Sequence, residues 1–319
     1  MSAVLQVRDL EVAYHTSAGP VRAVNGVSFE LEPGERLGLV GESGSGKSTI
    51  ALALLRMIRP PGKIEGGEVV LDGTSLLPLS DEEMRRMRLA SIAMIAQGAM
   101  NSLNPVARVR AQLADCFRDH DVQLSNRELD ERISSLLERV GLQPSVANMY
   151  PHELSGGMKQ RVCIAIAICL SPKVIIADEP TSALDVVVQR QVMDTLQVVQ
   201  TDIGASIILI GHDMGLMAQV VNRLGVMYAG DLVEIAAVSD MFGDPLHPYT
   251  QLLIGSLPSL SSKRLMRAIP GLPPSLLNRP AGCPFRARCP HVMSRCETEI
   301  PALRQVRPNR QVACHLYDS

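Results

Sequence analysis

The 319-residue sequence contains no tryptophan, and aromatic residues make up only 3% of it. A surface that binds nucleic acid by stacking bases on aromatic rings is therefore not expected. A basic excess is missing too: 31 Lys and Arg stand against 33 Asp and Glu, for a formal net charge of −2. That balance offers no electrostatic footprint for a nucleic acid. Long hydrophobic runs are also absent. No apolar stretch approaches the roughly 18–20 residues that cross a bilayer, and the longest, such as residues 162–170, read as buried helix or strand. The opening Met-Ser-Ala-Val-Leu-Gln-Val-Arg lacks the pattern of a signal peptide. The expectation is a cytoplasmic protein that leaves any membrane crossing to another subunit. Disulfides are not expected there, so the seven cysteines need another reason to be present. Length and a 46% hydrophobic share fit one large or two modest globular domains.

Periodicity organises what is there. Residues 4–7, 12–14 and 27–31 are short β-rich runs, and residues 37–40 form an apolar strand leading into a glycine-rich loop. A helix follows over residues 47–55. Another strand over residues 67–71 ends at an Asp72-Gly73 turn, and Ser80-Asp81-Glu82-Glu83 is a capping box. Between about 98 and 160 the pattern turns helical. Ile133, Leu136, Leu137 and Val140 keep amphipathic spacing, and Gly141 is placed to stop the helix. Helix, strand 174–177, helix 187–201, strand 206–210 and strand 224–228 then alternate, which argues an α/β protein with a largely parallel, buried sheet. Beyond about 240, Pro245, Pro248, Pro258, Pro270, Pro273, Pro274, Pro280, Pro284 and Pro290 crowd a segment that also holds four cysteines. It reads as a separate appendage.

Gly41-Glu42-Ser43-Gly44-Ser45-Gly46-Lys47-Ser48 has the spacing of a phosphate-binding loop. Gly41, Gly44 and Gly46 let the backbone wrap phosphates, Lys47 reaches the β- and γ-phosphates, and Ser48 can ligate Mg²⁺. Asp178 ends an apolar strand, where a carboxylate suits Mg²⁺ binding. Glu179 would point elsewhere and orient or activate an attacking water. Leu154-Ser155-Gly156-Gly157-Met158-Lys159-Gln160 adds a second anion-binding turn at a helix start. A chain that already has a phosphate loop needs a spare only if the spare serves another subunit's nucleotide.

These motifs, in this order, resemble those of ABC-type ATPases over about residues 1–240. The resemblance implies a RecA-like parallel sheet with an antiparallel β subdomain and an inserted helical subdomain at about 98–160. It implies ATP and Mg²⁺ as ligands, with Ser43 and Thr49 joining the loop residues and Tyr14 stacking on adenine. Gln97 matches the family's glutamine that senses Mg²⁺ and the γ-phosphate. Asp185 closes a D-loop-like Ser182-Ala183-Leu184-Asp185, and His212 matches the switch histidine. Ser155 and Gly157 would close on ATP held by a partner's phosphate loop, so the chain alone should hydrolyse ATP poorly.

Cys283, Cys289, Cys296 and Cys314 follow C-x5-C-x6-C-x17-C, which is neither a paired zinc spacing nor a ferredoxin run. Cys116, Cys163 and Cys169 read as packing residues. His291 and His315 are possible substitute ligands, and Arg286, Arg288 and Arg295 could offset thiolate charge. Gly282-Cys283-Pro284-Phe285, Arg288-Cys289-Pro290, Ala313-Cys314-His315, His247-Pro248-Tyr249-Thr250 and Asn101-Ser102-Leu103-Asn104-Pro105 resemble ATP-binding subunits of oligopeptide, dipeptide and nickel importers. Some members carry a [4Fe–4S] cluster on the four cysteines; zinc and unmetallated thiols remain open. The family implies a second ABC ATPase subunit, more often a different chain than a copy. It also implies two transmembrane permease subunits and an extracytoplasmic substrate-binding protein, with this chain peripheral at the cytoplasmic face of the membrane. The region from Gln97 to Pro105, with Met100 and Leu103 expected to be exposed, would receive a permease helix. Here Gln97 is followed by Gly98-Ala99 rather than the family's usual acidic flank, and relatives of this pattern include oligosaccharide importers. A soluble ABC ATPase acting on nucleic acid or ribosomes is the competing reading; it would show a long coiled-coil insert or paired cassettes, and neither is present.

Overall fold

A computed structural model describes residues 2–257 and 269–318, so Pro258 lies outside the described residues. The chain divides into two compact units. One is built mainly from Pro78–Leu209, the other from Gln6–Glu30, Arg36–Leu77 and residues from Ile210 onward.

In the first unit, the strand Val174–Asp178 has Ile92–Ile95 on one side and Ser206–Ile210 on the other. The Ile92–Ile95 pairing is parallel, in register from Ile92 opposite Val174 to Ile95 opposite Ala177. Every residue of Val174–Asp178 and Ser206–Ile210 is buried. That explains the unbroken apolar runs 174–177 and 207–210 within them, because a parallel strand is covered on both faces. Fully burying each Val, Leu or Ile contributes about 1.5–3 kcal/mol. Around the strands lie helices Val109–Arg118, Asn126–Arg139, Gly156–Ile168 and Val186–Ile203. Asn126–Arg139 starts at a complete capping box, Ser125 with Glu128, and turns Ile133, Leu136 and Leu137 inward. Gly141, at φ 69°, follows its end. The Ser80–Glu83 box opens Asp81–Met87 in the same way.

The second unit holds two sheets. In one, Arg36–Val40 runs parallel to Arg223–Tyr228, which pairs antiparallel with Asp231–Ala237. Arg310–Val312 then pairs antiparallel with Asp231–Ala237, and Arg304–Arg307 completes a hairpin at the edge. The proline- and cysteine-rich end of the chain is thus hydrogen-bonded into this sheet. The other sheet has the order Gly19–Leu31, Leu5–Thr16, Gly62–Leu71, Thr74–Ser75. The runs at 4–7 and 12–14 belong to one twelve-residue strand, Leu5–Thr16. Asp9 interrupts its pattern with φ 45°, and its N–H donates to Ser28 Oγ at 2.8 Å.

The chain has five tyrosines and four phenylalanines, yet three of these nine share one cluster in the second unit. Tyr228, Tyr249 and Phe285 have ring centroids 4.6, 5.2 and 5.4 Å apart. Such pairs add about 0.5–1.5 kcal/mol each beyond burial. Nearby, the buried Glu234 carboxylate accepts the N–H groups of Leu246 and His247, both at 2.9 Å. This fixes the start of helix Pro248–Gly255.

Candidate nucleotide site

The phosphate loop belongs to the second unit. The apolar strand Arg36–Val40 delivers it and helix Lys47–Leu54 carries it away. Its glycines are required by shape. Gly44 and Gly46 have φ of 77° and 100°. A Cβ on Gly46 would lie 2.2 Å from the Ala23 carbonyl oxygen, and one on Gly41 2.2 Å from that of Met227. Lys47 is buried and bends back over the loop. Its ammonium donates to the carbonyl oxygens of Gly41 at 2.8 Å and Glu42 at 2.9 Å, and to Ser45 Oγ at 3.3 Å. Ser43 and Ser48 are exposed and Thr49 is half-buried.

Also in the second unit, His212 is exposed at the end of Ser206–Ile210. Its neighbour Asp213 caps helix Met214–Ala218 by accepting the Leu216 N–H. Tyr14 is half-exposed. Its ring packs so closely on Gly62 that a Cβ there would lie 2.7 Å from Cε1.

In the first unit, Asp178 closes its strand almost fully buried, and Glu179 follows with φ 45°. A left-handed conformation at a non-glycine costs about 1–3 kcal/mol and marks sites where the surroundings dictate direction. Gln97 Nε2 donates to Glu179 Oε2 at 2.6 Å, joining two residues 82 positions apart. The second anion-binding turn lies in this unit as well. Ser155 caps Gly156–Ile168 and accepts the Met158 N–H at 3.3 Å, while Ser155 and Gly156 stay exposed. A Cβ on Gly157 would meet only the side chain of Val188, at 2.7 Å. Asp185 accepts the N–H groups of Val187 and Val188, capping helix Val186–Ile203. Val186 and Val187 beside it are 81% and 67% exposed. Leu103, expected at the surface, is buried and Met100 is half-buried; Val106, just past that stretch, is exposed. The turn at Ala99–Ser102 folds Leu103 inward, which its sequence pattern does not announce.

Around the four-cysteine segment, all four thiols are free. Cys283 and Cys296 are joined through the backbone, the Cys283 N–H donating to the Cys296 carbonyl at 2.9 Å. Burial, reinforced by the other thiols of the group, pushes Cys283 and Cys314 up to about 11, and burial also raises Cys289. Among the described residues, no group of three or more His, Cys, Asp or Glu side chains stands in metal-holding geometry. His315 does not serve as a spare ligand: Nδ1 pairs with Asp318 at 2.7 Å and Nε2 with the Glu299 carbonyl at 3.0 Å. Arg288 and Arg295 are paired with carboxylates, Glu42 for the first and Glu299 and Asp318 for the second. Sequence reasoning missed Tyr249 and Arg288 as neighbours of the phosphate loop. The available signal was Glu42, a carboxylate in a loop shaped for anions, which calls for a positive partner. Cys163, one of the cysteines read as packing residues, is buried and donates to the Ala99 carbonyl at 3.3 Å.

Residues 24–182 match the ABC transporter family, and residues 233–296 match the oligopeptide/dipeptide transporter C-terminal region. The chain is 44% identical over 295 residues to the oligopeptide transport ATP-binding protein OppD of Bacillus subtilis, covering 91% of this chain and 82% of that one. It is 41% identical over 320 residues to the dipeptide transport ATP-binding protein DppD of Caldanaerobacter subterraneus, covering 100% and 98%. Among solved structures, the dimeric ATP-binding cassette MJ0796 bound to ADP and Pi matches with a TM-score of 0.65 and 26% identity, over 73% of this chain and 98% of that one. The chain belongs to the ABC transporter ATP-binding subunits, in the branch defined by the oligopeptide/dipeptide C-terminal region, and is an ATPase of that fold.

Proposed function

We propose that the chain powers import of peptides or related small solutes, hydrolysing ATP for a permease pair at the cytoplasmic face of the membrane. The observation that carries the reading is the 2.6 Å hydrogen bond from Gln97 to Glu179, which aims a strained carboxylate as a water-orienting group requires. Lys47 would leave the loop carbonyls for the β- and γ-phosphates, with Tyr14 against the base and Ser43, Gly44, Gly46 and Thr49 around the phosphates. Mg²⁺, when bound, would be held through Ser48, Asp178 and Gln97 and would offset phosphate charge. His212 would respond to the γ-phosphate. Ser155 and Gly157, with Asp185, would complete the nucleotide site of a second, homologous ATPase subunit. Relatives' names supply the solute class, oligopeptide or dipeptide. An extracytoplasmic binding protein would deliver the solute to the permeases. Reconstitution tests the reading: ATP turnover should be low for the purified chain and should rise when a second ATPase subunit, the permeases and peptide-loaded binding protein are present. Turnover unchanged by these additions would sink it.

We also propose a group bound by thiolates at the four cysteines, although among the described residues they do not stand in metal-holding geometry. Burial, with neighbouring thiols adding to it, raises the proton affinity of Cys283, Cys289 and Cys314, and a bound cation would offset that cost. One buried guanidinium nitrogen of Arg286, in the same segment, has no partner among the described residues. Cys283, Cys289, Cys296 and Cys314 would hold a [4Fe–4S] cluster, whose chemistry when bound is electron transfer or structural cross-linking. Brown absorbance that bleaches with dithionite, with iron and sulfide in equal amounts, supports it. Stoichiometric zinc without iron refutes it.

A further inference from the structure

We propose that Arg288 of the cysteine segment is a positioning residue of the phosphate loop, acting through Glu42. The inference rests on reading Gly41–Ser48 as the loop that binds ATP.

Glu42 stands in a loop whose other features all favour anions. Left alone, its carboxylate would oppose a polyphosphate. Arg288 answers it with a bidentate pair, Nη1 to Oε2 and Nη2 to Oε1, both at 2.8 Å. The guanidinium is nearly inaccessible, with a side-chain exposure of 4%. It is fixed on its other edges, donating from Nε to the Pro270 carbonyl at 2.8 Å and from Nη1 to Tyr228 Oη at 3.3 Å. A planar fork held in this way is pre-organised for a carboxylate, as a lysine is not. The backbone of Glu42 is held as well: its N–H donates to Tyr249 Oη at 3.0 Å. Both ends of Glu42 are therefore held from residues more than 200 positions away.

The position of Arg288 depends on the cysteine segment. Arg288 closes the turn Arg286–Arg288 and is followed directly by Cys289. That turn hangs from the Cys283 carbonyl, which accepts the Arg286 N–H. Phe285 anchors it in the Tyr228–Tyr249 cluster. Disturbing the four-thiol segment moves the counter-charge of Glu42, and ATP affinity changes with it. The cysteines thereby acquire a route to the nucleotide that needs no contact with it.

The test is MgATP binding to the full purified chain, with thermal midpoints measured beside it. Arg288→Ala leaves Glu42 uncompensated and should weaken MgATP about tenfold or more, a shift of about 1.4 kcal/mol per tenfold. Glu42→Gln in the same background removes the offending charge and should restore affinity to within about threefold. Arg288→Lys, which keeps charge but not the fork, should fall between the two. Serine at Cys283 and Cys296 should weaken MgATP in the same direction, and Glu42→Gln should blunt that loss. Arg288→Ala binding within twofold of the parent chain would overturn the proposal. So would a double variant no better than Arg288→Ala, since that marks a purely structural loss. Where Arg288→Ala does not fold, Arg288→Lys against Arg288→Lys with Glu42→Gln gives the same comparison. Lys47→Ala is the control: if it binds MgATP normally, the loop reading itself has failed.

Discussion

The chain has two turns shaped for anions, and they are built differently. The phosphate loop is closed on itself: Lys47 is buried across its carbonyls, and Gly41 and Gly46 sit at positive φ, each with a backbone oxygen 2.2 Å from a would-be Cβ. The turn at Ser155 is open. It has no left-handed glycine, its first two residues are exposed, and its tightest neighbour is the movable side chain of Val188. A turn that must hold a nucleotide without help needs its own lysine and a rigid frame. A turn that only completes another molecule's site needs to be presented, not enclosed. Burial and backbone strain, more than glycine content, separate a loop built to hold an anion from one built to be presented.

The largest test asks whether chemistry is separable from both turns. Glu179→Gln keeps the Gln97 neighbour and the strand end but removes the carboxylate proposed to orient the water. Turnover in the assembled transporter should fall about 10²–10⁴-fold, the usual loss of general-base help. MgATP should still bind, and the ATPase pair should stay closed when followed by size-exclusion chromatography. Undiminished turnover would show that Glu179 does not orient the water.

The next test adds one methyl group to each turn. Gly46→Ala drives a Cβ into the Ala23 carbonyl at φ 100°, where neither backbone can yield. With strain of about 1–3 kcal/mol and lost loop shape, MgATP affinity should drop by roughly 10–100-fold. Gly157→Ala meets Val188 Cγ1, which can rotate away. Its MgATP affinity should stay within about twofold, while turnover in the assembled transporter falls about tenfold, the scale of one lost or misplaced hydrogen bond. Equal losses of binding in the two variants would erase the distinction drawn above.

A third test uses pH, because the closed loop has a titratable support. His247 is buried and is pushed down to about 3 by burial. Its Nδ1 accepts the Tyr249 N–H at 3.0 Å, a bond that protonation at that nitrogen would remove. An unfolded histidine titrates near 6.5, so below that the unfolded chain gains a proton that the folded chain refuses. This contribution is fully present above about 6.5 and is lost as pH falls towards about 3. The slope is up to about 1.4 kcal/mol per pH unit. Urea unfolding at pH 7, 6 and 5 should show His247→Asn losing less stability per unit than the parent chain. Parallel slopes would remove His247 from the account.

Much of this was legible beforehand, because it is local. The strand leading into the phosphate loop, the capping box at Ser80 and the buried run at 174–177 each follow from a few adjacent residues. Other features have no local cause. Residues 4–7 and 12–14 look like two strands because Asp9 breaks the alternation, and only its bond to Ser28 shows that the strand continues. The strand Asp231–Ala237 carries a carboxyl group, Glu234, at a fully buried point, and the N–H groups of Leu246 and His247, with the Arg310 guanidinium at 3.6 Å, make that tolerable. Gln97 was readable from its place after a strand, but its bond to Glu179 was not. Arg288 meets Glu42 across 246 residues, a separation over which sequence pattern carries no distance information.

The same chemical change can be made at two helix starts, one within the open turn and one outside both turns. Ser125 and Ser155 both cap helices through the hydroxyl, accepting an N–H at 3.3 Å in each case. Ser125 has the reciprocal partner Glu128, whose carboxylate accepts the Ser125 N–H at 2.8 Å; Met158 at the equivalent place after Ser155 cannot reciprocate. Alanine at either position should cost about 1 kcal/mol of stability, with Ser125 the greater loss because the full box goes. Turnover should separate them in the opposite order. Ser125→Ala should leave ATP hydrolysis in the assembled transporter within about twofold, since its hydroxyl serves only the helix. Ser155→Ala should slow hydrolysis several-fold, on the net scale of one hydrogen bond, about 1 kcal/mol. Denaturant midpoints and turnover measured on the same two proteins decide it: a cap that is weaker for the fold yet more costly for catalysis is offering its hydroxyl to something outside the chain.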